Sequence, residues 1–100
     1  MSLRPGGVRD LKGVLGDNLA RCRKRAGFSQ DELSVRASLH RTEISQVERG
    51  LRMARADTIL RLAGSLEIPV GDLFEGLAWQ PGDVRRGRFE QKNDSRNAED

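Results

Sequence analysis

The sequence predicts an all-α domain of five short helices, followed by a short C-terminal extension. Only four of the 100 residues are aromatic and none is tyrosine, so the core must be mainly aliphatic, which suits packed helices. Apolar residues recur three and four positions apart between residues 9 and 77, as they do along one face of a helix. Capping residues and glycines separate these apolar stretches.

The first two helices have clear ends in the sequence. Leu15 and Cys22 are spaced to share one face of the first helix. Gly27 ends this helix after a run of basic residues, which complements the negative end of the helix dipole. Residues 29–32, with the sequence SQDE, form a capping-box pattern that begins a second helix over about residues 29–37.

Three further helices are predicted beyond residue 38. The third covers about residues 40–49, with Ile44 and Val47 facing inward. Pro69 begins a short fifth helix, because proline is well tolerated in the first helical turn. The fourth helix carries a stripe of apolar residues at helical spacing: Ala56, Ile59, Ala63 and Leu66.

The two ends of the chain differ from the helical domain, which we place at residues 9–77. Residues 1–8 contain proline and glycine and are predicted to be a flexible lead. Residues 78–100 are predicted to be an extension that is partly disordered from about residue 91. Trp79 and Phe89 either close one edge of the core or supply a dimer contact. The stretch around Phe89 could form a strand that pairs with a symmetry mate.

The charge of the chain is distributed unevenly. The formal net charge is +3, but residues 20–61 contain ten Lys/Arg and five Asp/Glu, a net of +5. Residues 62–100 contain five basic and eight acidic residues, a net of −3. A basic middle region favours a surface that binds a polyanion, although a solvated charged surface would have the same composition.

The second and third helices form a helix-turn-helix outline, since two short helices are joined by a tight turn. On the third helix, Thr42, Ser45, Gln46 and Arg49 lie at i, i+3, i+4 and i+7, so they form one polar stripe. Arg41 lies at the amino-terminal end of this helix. In helix-turn-helix proteins that bind DNA, this end of the second helix enters the major groove deepest. We therefore predict that Arg41, Thr42 and Gln46 read base edges.

Two stretches of the sequence are similar to a known family. SQDELSVRASLHRTEISQVERG, followed by DTILRLAGSLEIPVGDLF, resembles the DNA-binding domain of the XRE family, the phage-repressor and Cro-like regulators. The resemblance covers about residues 15–77. It implies a five-helix lambda-repressor-like fold and a sequence-specific transcriptional regulator, a repressor or autoregulator. It also implies a homodimer that binds a two-fold symmetric double-stranded DNA operator.

The resemblance assigns roles to further residues. In the family, an arginine of the first helix forms a buried ion pair with a glutamate near the end of the recognition helix, and Arg23 and Glu48 occupy these positions. Many family members have glycine where this chain has Ser38, and a left-handed serine would cost about 1–2 kcal/mol relative to glycine. Arg52 lies beyond Gly50, where we expect it to meet only the phosphate backbone. The predicted phosphate contacts are Gln30, His40, Ser45, Arg49, Arg52 and Arg55.

The sequence predicts no catalytic, cofactor or metal site. His40 is the only histidine, and Cys22, the only cysteine, falls on the inner face of a different helix, so no cluster of metal ligands can be identified. No apolar run approaches the roughly 20 residues that span a bilayer. With a lone cysteine and no secretory signal, we expect a cytoplasmic protein that does not bind membranes.

One alternative belongs to a different class of function. The chain could be an antitoxin-like protein-interaction module that binds and blocks a toxin, with DNA binding secondary. The acidic second half and Trp79 could serve such a protein partner. A toxin gene in the genomic neighbourhood would favour this alternative over a transcriptional regulator.

Overall fold

The computed structural model describes residues 10–82 and 87–91. Helices occupy the chain up to residue 74, as predicted, and a two-stranded antiparallel sheet follows. The predicted lead, residues 1–8, and the end of the tail, residues 92–100, lie outside the described residues. The elements in chain order are α1 Leu11–Ala26, α2 Gln30–Ala37, α3 Arg41–Glu48, α4 Ala56–Leu66, a 3-10 helix Val70–Phe74, β1 Leu77–Gln80 and β2 Arg88–Gln91.

The fifth predicted helix is present at residues 70–74, but it is a 3-10 helix and not an α-helix. This segment is only five residues long and contains a glycine, so few intrahelical bonds could stabilise an α-helix. The carbonyl groups at its end instead accept hydrogen bonds from a side chain of α1. The buried Asn18 amide donates to the carbonyl oxygen of Leu73 at 2.9 Å and to that of Glu75 at 3.0 Å.

The extension contains a β-hairpin that the sequence indicated only in part. A strand forms around Phe89 as predicted, and within the chain it pairs with β1. Its pairing with a symmetry mate stays a prediction. Trp79 and Phe89 face each other across the strands with ring centroids 5.1 Å apart, at an interplanar angle of 72°. This cross-strand pair and the turn-forming residues after β1 favour the local hairpin.

The core lies among the four α-helices and the 3-10 helix. Cys22, Ile44 and Val47 are buried as predicted. In α4 the buried stripe begins two positions later than predicted, because Ala56 is exposed whereas Thr58 is buried. The largest fully buried side chains are Leu15, Leu19, Leu33, Ile44, Val47, Leu62 and Leu73.

Helices α2 and α4 cap each other's carboxyl ends. Ser38, which ends α2, is left-handed with a φ of 58°, and its carbonyl oxygen accepts from Arg61 of α4 at 3.2 Å. In return, Arg36 of α2 donates to the carbonyl oxygen of Ser65 near the end of α4 at 3.2 Å. Glu67, which ends α4, is also left-handed. These bonds satisfy carbonyl groups that a helix end leaves without intrahelical partners.

Candidate nucleic-acid interface

The backbone of α1 touches the carboxyl end of α3. A β-carbon placed on Gly16 would lie 2.7 Å from the carbonyl oxygen of Glu48, and closer still to that of Val47. Such separations are below any normal contact, so this approach requires glycine in α1. This close contact sets the distance between α1 and the carboxyl end of α3.

A second contact clamps the same end of α3. The Glu48 carboxylate accepts two hydrogen bonds from Arg23 of α1, at 2.6 Å from Nε and at 2.9 Å from Nη2. The two side chains are only 11% and 7% exposed. The hydrogen bond to Glu48 raises the pKa of Arg23 above its ordinary value, although burial acts in the opposite direction. A bidentate pair of this kind sets both the position and the orientation of the helix end.

Gln30, at the start of α2, joins this cluster. Its side-chain amide donates to Oε1 of Glu48 at 2.9 Å, and Arg23 also donates to the carbonyl oxygen of Phe28 at 2.9 Å. Glu48 therefore connects α1, α2 and α3. The sequence pointed to Gln30 as a phosphate ligand only, and nothing in the spacing of the residues indicated its bond to Glu48.

The outer face of α3 carries the residues that the sequence predicted to read bases. This outer face consists of Arg41, Thr42, Ser45, Gln46 and Arg49. Arg41, Thr42 and Arg49 are exposed, whereas Ser45 and Gln46 are half-buried. Within the described part of the chain, Thr42, Ser45 and Arg49 make no side-chain hydrogen bond or ion pair, so their polar groups are available to a ligand.

The end of α3 returns the chain towards its own outer face. Gly50 is left-handed with a φ of 73°, and its amide donates to the carbonyl oxygen of Val47 at 3.0 Å while the Leu51 amide donates to that of Gln46 at 2.9 Å. This is the Schellman arrangement of a helix end. It brings Arg52 back beside the helix, where Nη1 donates to Oε1 of Gln46 at 3.2 Å.

The hydrogen bond between Arg52 and Gln46 corrects one expectation. Arg52 does not stand apart from the outer face of α3 with only a phosphate backbone in reach. Its position depends on the left-handed Gly50 and on the return of the loop towards α3, and the sequence analysis predicted neither feature.

Exposed arginines lie on α3 and in the loop that follows it. The Arg41 side chain is 62% exposed and lies 3.1 Å from the Asp31 carboxylate, and the Arg55 side chain is 84% exposed and lies 3.4 Å from that of Asp57. Exposed pairs of this kind contribute about 0–1 kcal/mol, so a phosphate could replace either carboxylate at low cost. His40 is exposed at the start of α3 and makes no capping bond with its side chain.

Other kinds of site find no support in the described residues. Among residues 10–82 and 87–91, no group of three or more His, Cys, Asp or Glu side chains is arranged to hold a metal ion. The same residues include no helix that is both long enough and apolar enough to cross a membrane. Cys22 is buried as a free thiol.

These features define a class of protein. Two short helices, joined at the left-handed Ser38, present a polar and arginine-rich outer face, and the second of them is clamped to α1 by Arg23 and Glu48. Fold and surface together are those of a helix-turn-helix DNA-binding protein.

Comparisons with known proteins agree with this class. Residues 14–73 match the family model described as a helix-turn-helix domain. The control protein C.SmaI of Serratia marcescens is 35% identical over 75 residues, which cover 73% of this chain and 89% of that protein. The control protein C.BamHI of Bacillus amyloliquefaciens is 30% identical over 69 residues, which cover 68% of this chain and 85% of that protein.

A solved structure shows the same likeness. The crystal structure of the restriction-modification controller protein C.AhdI from Aeromonas hydrophila superposes with a TM-score of 0.62 at 35% identity, and covers 63% of this chain and 96% of that one. The chain belongs to the helix-turn-helix family, and the predicted resemblance to the XRE-type regulators is confirmed. It is a DNA-binding transcription regulator of this family.

Proposed function

We propose that this protein recognises a specific operator by placing α3 in the major groove of double-stranded DNA. Arg41, Thr42 and Gln46 read base edges in this proposal. Gln30, His40, Ser45, Arg49, Arg52 and Arg55 contact the phosphate backbone. The role is one of binding rather than catalysis.

The observation that carries the proposal is the contrast between the two sides of α3. Its inner side is fixed by Gly16 and by the bidentate Arg23–Glu48 pair. Its outer face presents hydroxyl, amide and guanidinium groups to solvent, and these groups match the donors and acceptors of the major groove. The exposed arginines of α3 and of the loop after it suit contacts with a phosphate backbone.

A homodimer bound to a two-fold symmetric operator suits this surface. One helix of eight residues reads few base pairs, and competition from the many non-specific sites of a genome favours two half-sites. Their centres would lie about 10 base pairs apart, or a multiple of that spacing, on one face of the DNA. The protein would then reside with its operator in the cytoplasm.

A narrower role follows from the names of the relatives. Two are called control proteins, and the third is named a restriction-modification controller. We therefore propose that this chain controls the genes of a restriction-modification system. Adjacent genes for a nuclease and a DNA methyltransferase would support this role. An adjacent toxin gene would instead favour the antitoxin-like alternative, in which a protein partner matters more than DNA.

Selection of bound sequences from random duplex DNA tests the proposed function. We expect a two-fold symmetric consensus, and we expect Gln46→Ala to lose preference at one base pair in each half-site, because a bidentate amide contact discriminates by about 1–3 kcal/mol. Arg55→Ala is the matched control. It should weaken cognate and scrambled duplexes alike and make the dependence of log affinity on log salt shallower by about 1 per monomer.

Two results would contradict the proposal. If the selection enriches no sequence, the protein does not read DNA by sequence. If it enriches a sequence that Gln46→Ala, Thr42→Ala and Arg41→Ala all bind as tightly as the parent protein, α3 is not the reading element. In either case the protein-interaction alternative gains support.

A further inference from the structure

The contact between Arg52 and Gln46 joins two residues that the sequence had assigned to separate tasks. Gln46 is half-buried in the middle of α3, one turn after Thr42. Arg52 reaches it from the loop beyond Gly50, with Nη1 3.2 Å from Oε1 of the amide. The backbone of Gln46 is also held, because its carbonyl oxygen accepts a hydrogen bond from the Leu51 amide at 2.9 Å.

The chemistry of arginine gives this contact a direction. A guanidinium group has five N–H donors and no acceptor, so Arg52 can bond only to the oxygen of the Gln46 amide and never to its nitrogen. The hydrogen bond therefore determines which way the amide points. A free glutamine amide can rotate by half a turn and present its donor and acceptor in either order. A base edge would then face both orders of the amide groups.

The amide remains able to read a base while Arg52 holds it. A carbonyl oxygen has two lone pairs, and the amide nitrogen has two hydrogens. One lone pair of Oε1 is used by Arg52, so the other lone pair and the nitrogen can still pair with the acceptor and donor of an adenine edge. Four N–H groups of Arg52 also remain for a phosphate. Arg52 can therefore orient Gln46 and contact the backbone at the same time.

We propose that Arg52 is a positioning residue for base recognition, and that Gln46 and Arg52 act as one reading unit. Arg52 sets the orientation of the amide before DNA arrives, so the complex forms without the loss of that rotational freedom. The inference rests on the proposed function, since it requires α3 to read DNA. It goes beyond it in giving a loop arginine a part in sequence preference.

A double-mutant cycle on DNA binding tests the coupling. The proteins are the parent, Gln46→Ala, Arg52→Ala and the double variant. Each is titrated against the selected duplex and against the same duplex with one base pair changed, namely the pair at which Gln46→Ala loses preference. The measured quantity is the ratio of the two affinities. Arg55→Ala is the control, because Arg55 is an exposed arginine of the same loop that pairs with Asp57.

In the parent, Gln46 should give a ratio of about 5 to 150. Arg52→Ala should lower that ratio about threefold or more, and the same substitution in the Gln46→Ala background should leave the ratio unchanged. Arg55→Ala should lower both affinities and keep the ratio of the parent. Circular dichroism of each variant confirms that the helices are intact.

The inference is overturned if Arg52→Ala weakens both duplexes by the same factor whether or not Gln46 is present, because Arg52 would then be a phosphate contact alone. That result would leave the proposed function standing. Failure of the parent to prefer any duplex would instead overturn the proposed function, and the selection experiment shows this before the cycle begins. The two failures are therefore distinguished by the behaviour of the parent protein.

Discussion

The two ends of α3 are held in opposite ways. At its carboxyl end, Glu48 is 7% exposed in its side chain and accepts bonds from Arg23 and Gln30. At its amino end, His40 provides no capping bond, and the Arg41 side chain is 62% exposed beside an Asp31 that is 76% exposed. The helix is thus positioned at its carboxyl end, which lies against the domain. Its first turn, which is expected to enter DNA, makes few contacts with the rest of the protein.

The clamp explains an acidic residue in an unfavourable place. A negative charge in the last turn of a helix opposes the dipole by about 0.3–1 kcal/mol. The hydrogen bonds from Arg23 outweigh this cost, since charge-assisted pairs are about twice as strong as neutral ones. Because the pKa of Arg23 is raised in the folded state, the contribution of its charge is fully present at all pH values below the ordinary pKa of arginine. It is lost only as the pH rises through the higher folded value.

Among the substitutions that test how the two ends of α3 are held, Glu48→Ala should change the free energy of unfolding most. The substitution leaves Arg23 buried without its carboxylate, and breaking a buried pair costs about 3–5 kcal/mol of unfolding free energy. We expect a loss near the lower bound, because Arg23 keeps its bond to the Phe28 carbonyl oxygen. Asp31→Ala removes the carboxylate at the other end of α3 and should cost less than about 1 kcal/mol. Urea unfolding followed by circular dichroism measures both.

Equal losses in the two variants would show that the two ends of α3 are held alike. A second check separates lost stability from lost binding. At a temperature where both variants are folded, Asp31→Ala should not weaken DNA binding, since it frees Arg41 for DNA.

Gly16→Ala should have the next largest effect. The added methyl group would meet the carbonyl oxygens of Val47 and Glu48, and backbone atoms at a helix end cannot move aside as a side chain can. Overpacking of this kind costs about 1–3 kcal/mol. Gly64→Ala is the matched control, because it lies in α4 with nothing within 4 Å of an added methyl group, and should raise stability by up to about 1 kcal/mol.

The Gly16 expectation is contradicted if both alanine variants gain stability in thermal melts. The higher helix propensity of alanine would then decide the effect at both positions, and the close approach of α1 to α3 would not require glycine.

The smallest effect should be a gain from Ser38→Gly at the turn before α3. Ser38 has a φ of 58°, and the left-handed conformation costs about 1–2 kcal/mol for a residue with a β-carbon. Because glycine also loses more entropy on folding, we expect a net gain of at most about 1 kcal/mol in unfolding free energy. The Arg61 bond to the backbone carbonyl of this residue is unaffected by the change. A lower denaturant midpoint for this variant would mean that the serine hydroxyl contributes to the turn.

Local patterns in the sequence predicted the parts of the fold that depend on neighbouring residues. The capping box of Ser29 and Glu32 is complete in the structure, with both reciprocal bonds formed. The left-handed turn was anticipated from family members that carry glycine where this chain has Ser38. The short helix after Pro69 was predicted, but its 3-10 form was not, because its end depends on Asn18, 55 residues away from Leu73 in the chain.

The candidate site shows the same division. The outer face of α3 follows from helical spacing alone, so Thr42 and Gln46 could be placed on it from the sequence. The bonds of Gln30 to Glu48 and of Arg52 to Gln46 could not, since they depend on side-chain directions and on the path of a loop. The hairpin was missed for a similar reason, because the sequence identified one strand and could not name its partner.

The hairpin decides what an optical experiment on this protein would report. Trp79 is the only tryptophan and the chain has no tyrosine, so the intrinsic fluorescence comes from one indole. That ring is 54% exposed and contacts Phe89 edge to face on the two-stranded sheet, outside the helical core. Emission will therefore follow the opening of the hairpin, whereas the far-ultraviolet dichroism will follow the helices. If the hairpin opens before the helical core unfolds, the two signals will change at different denaturant concentrations.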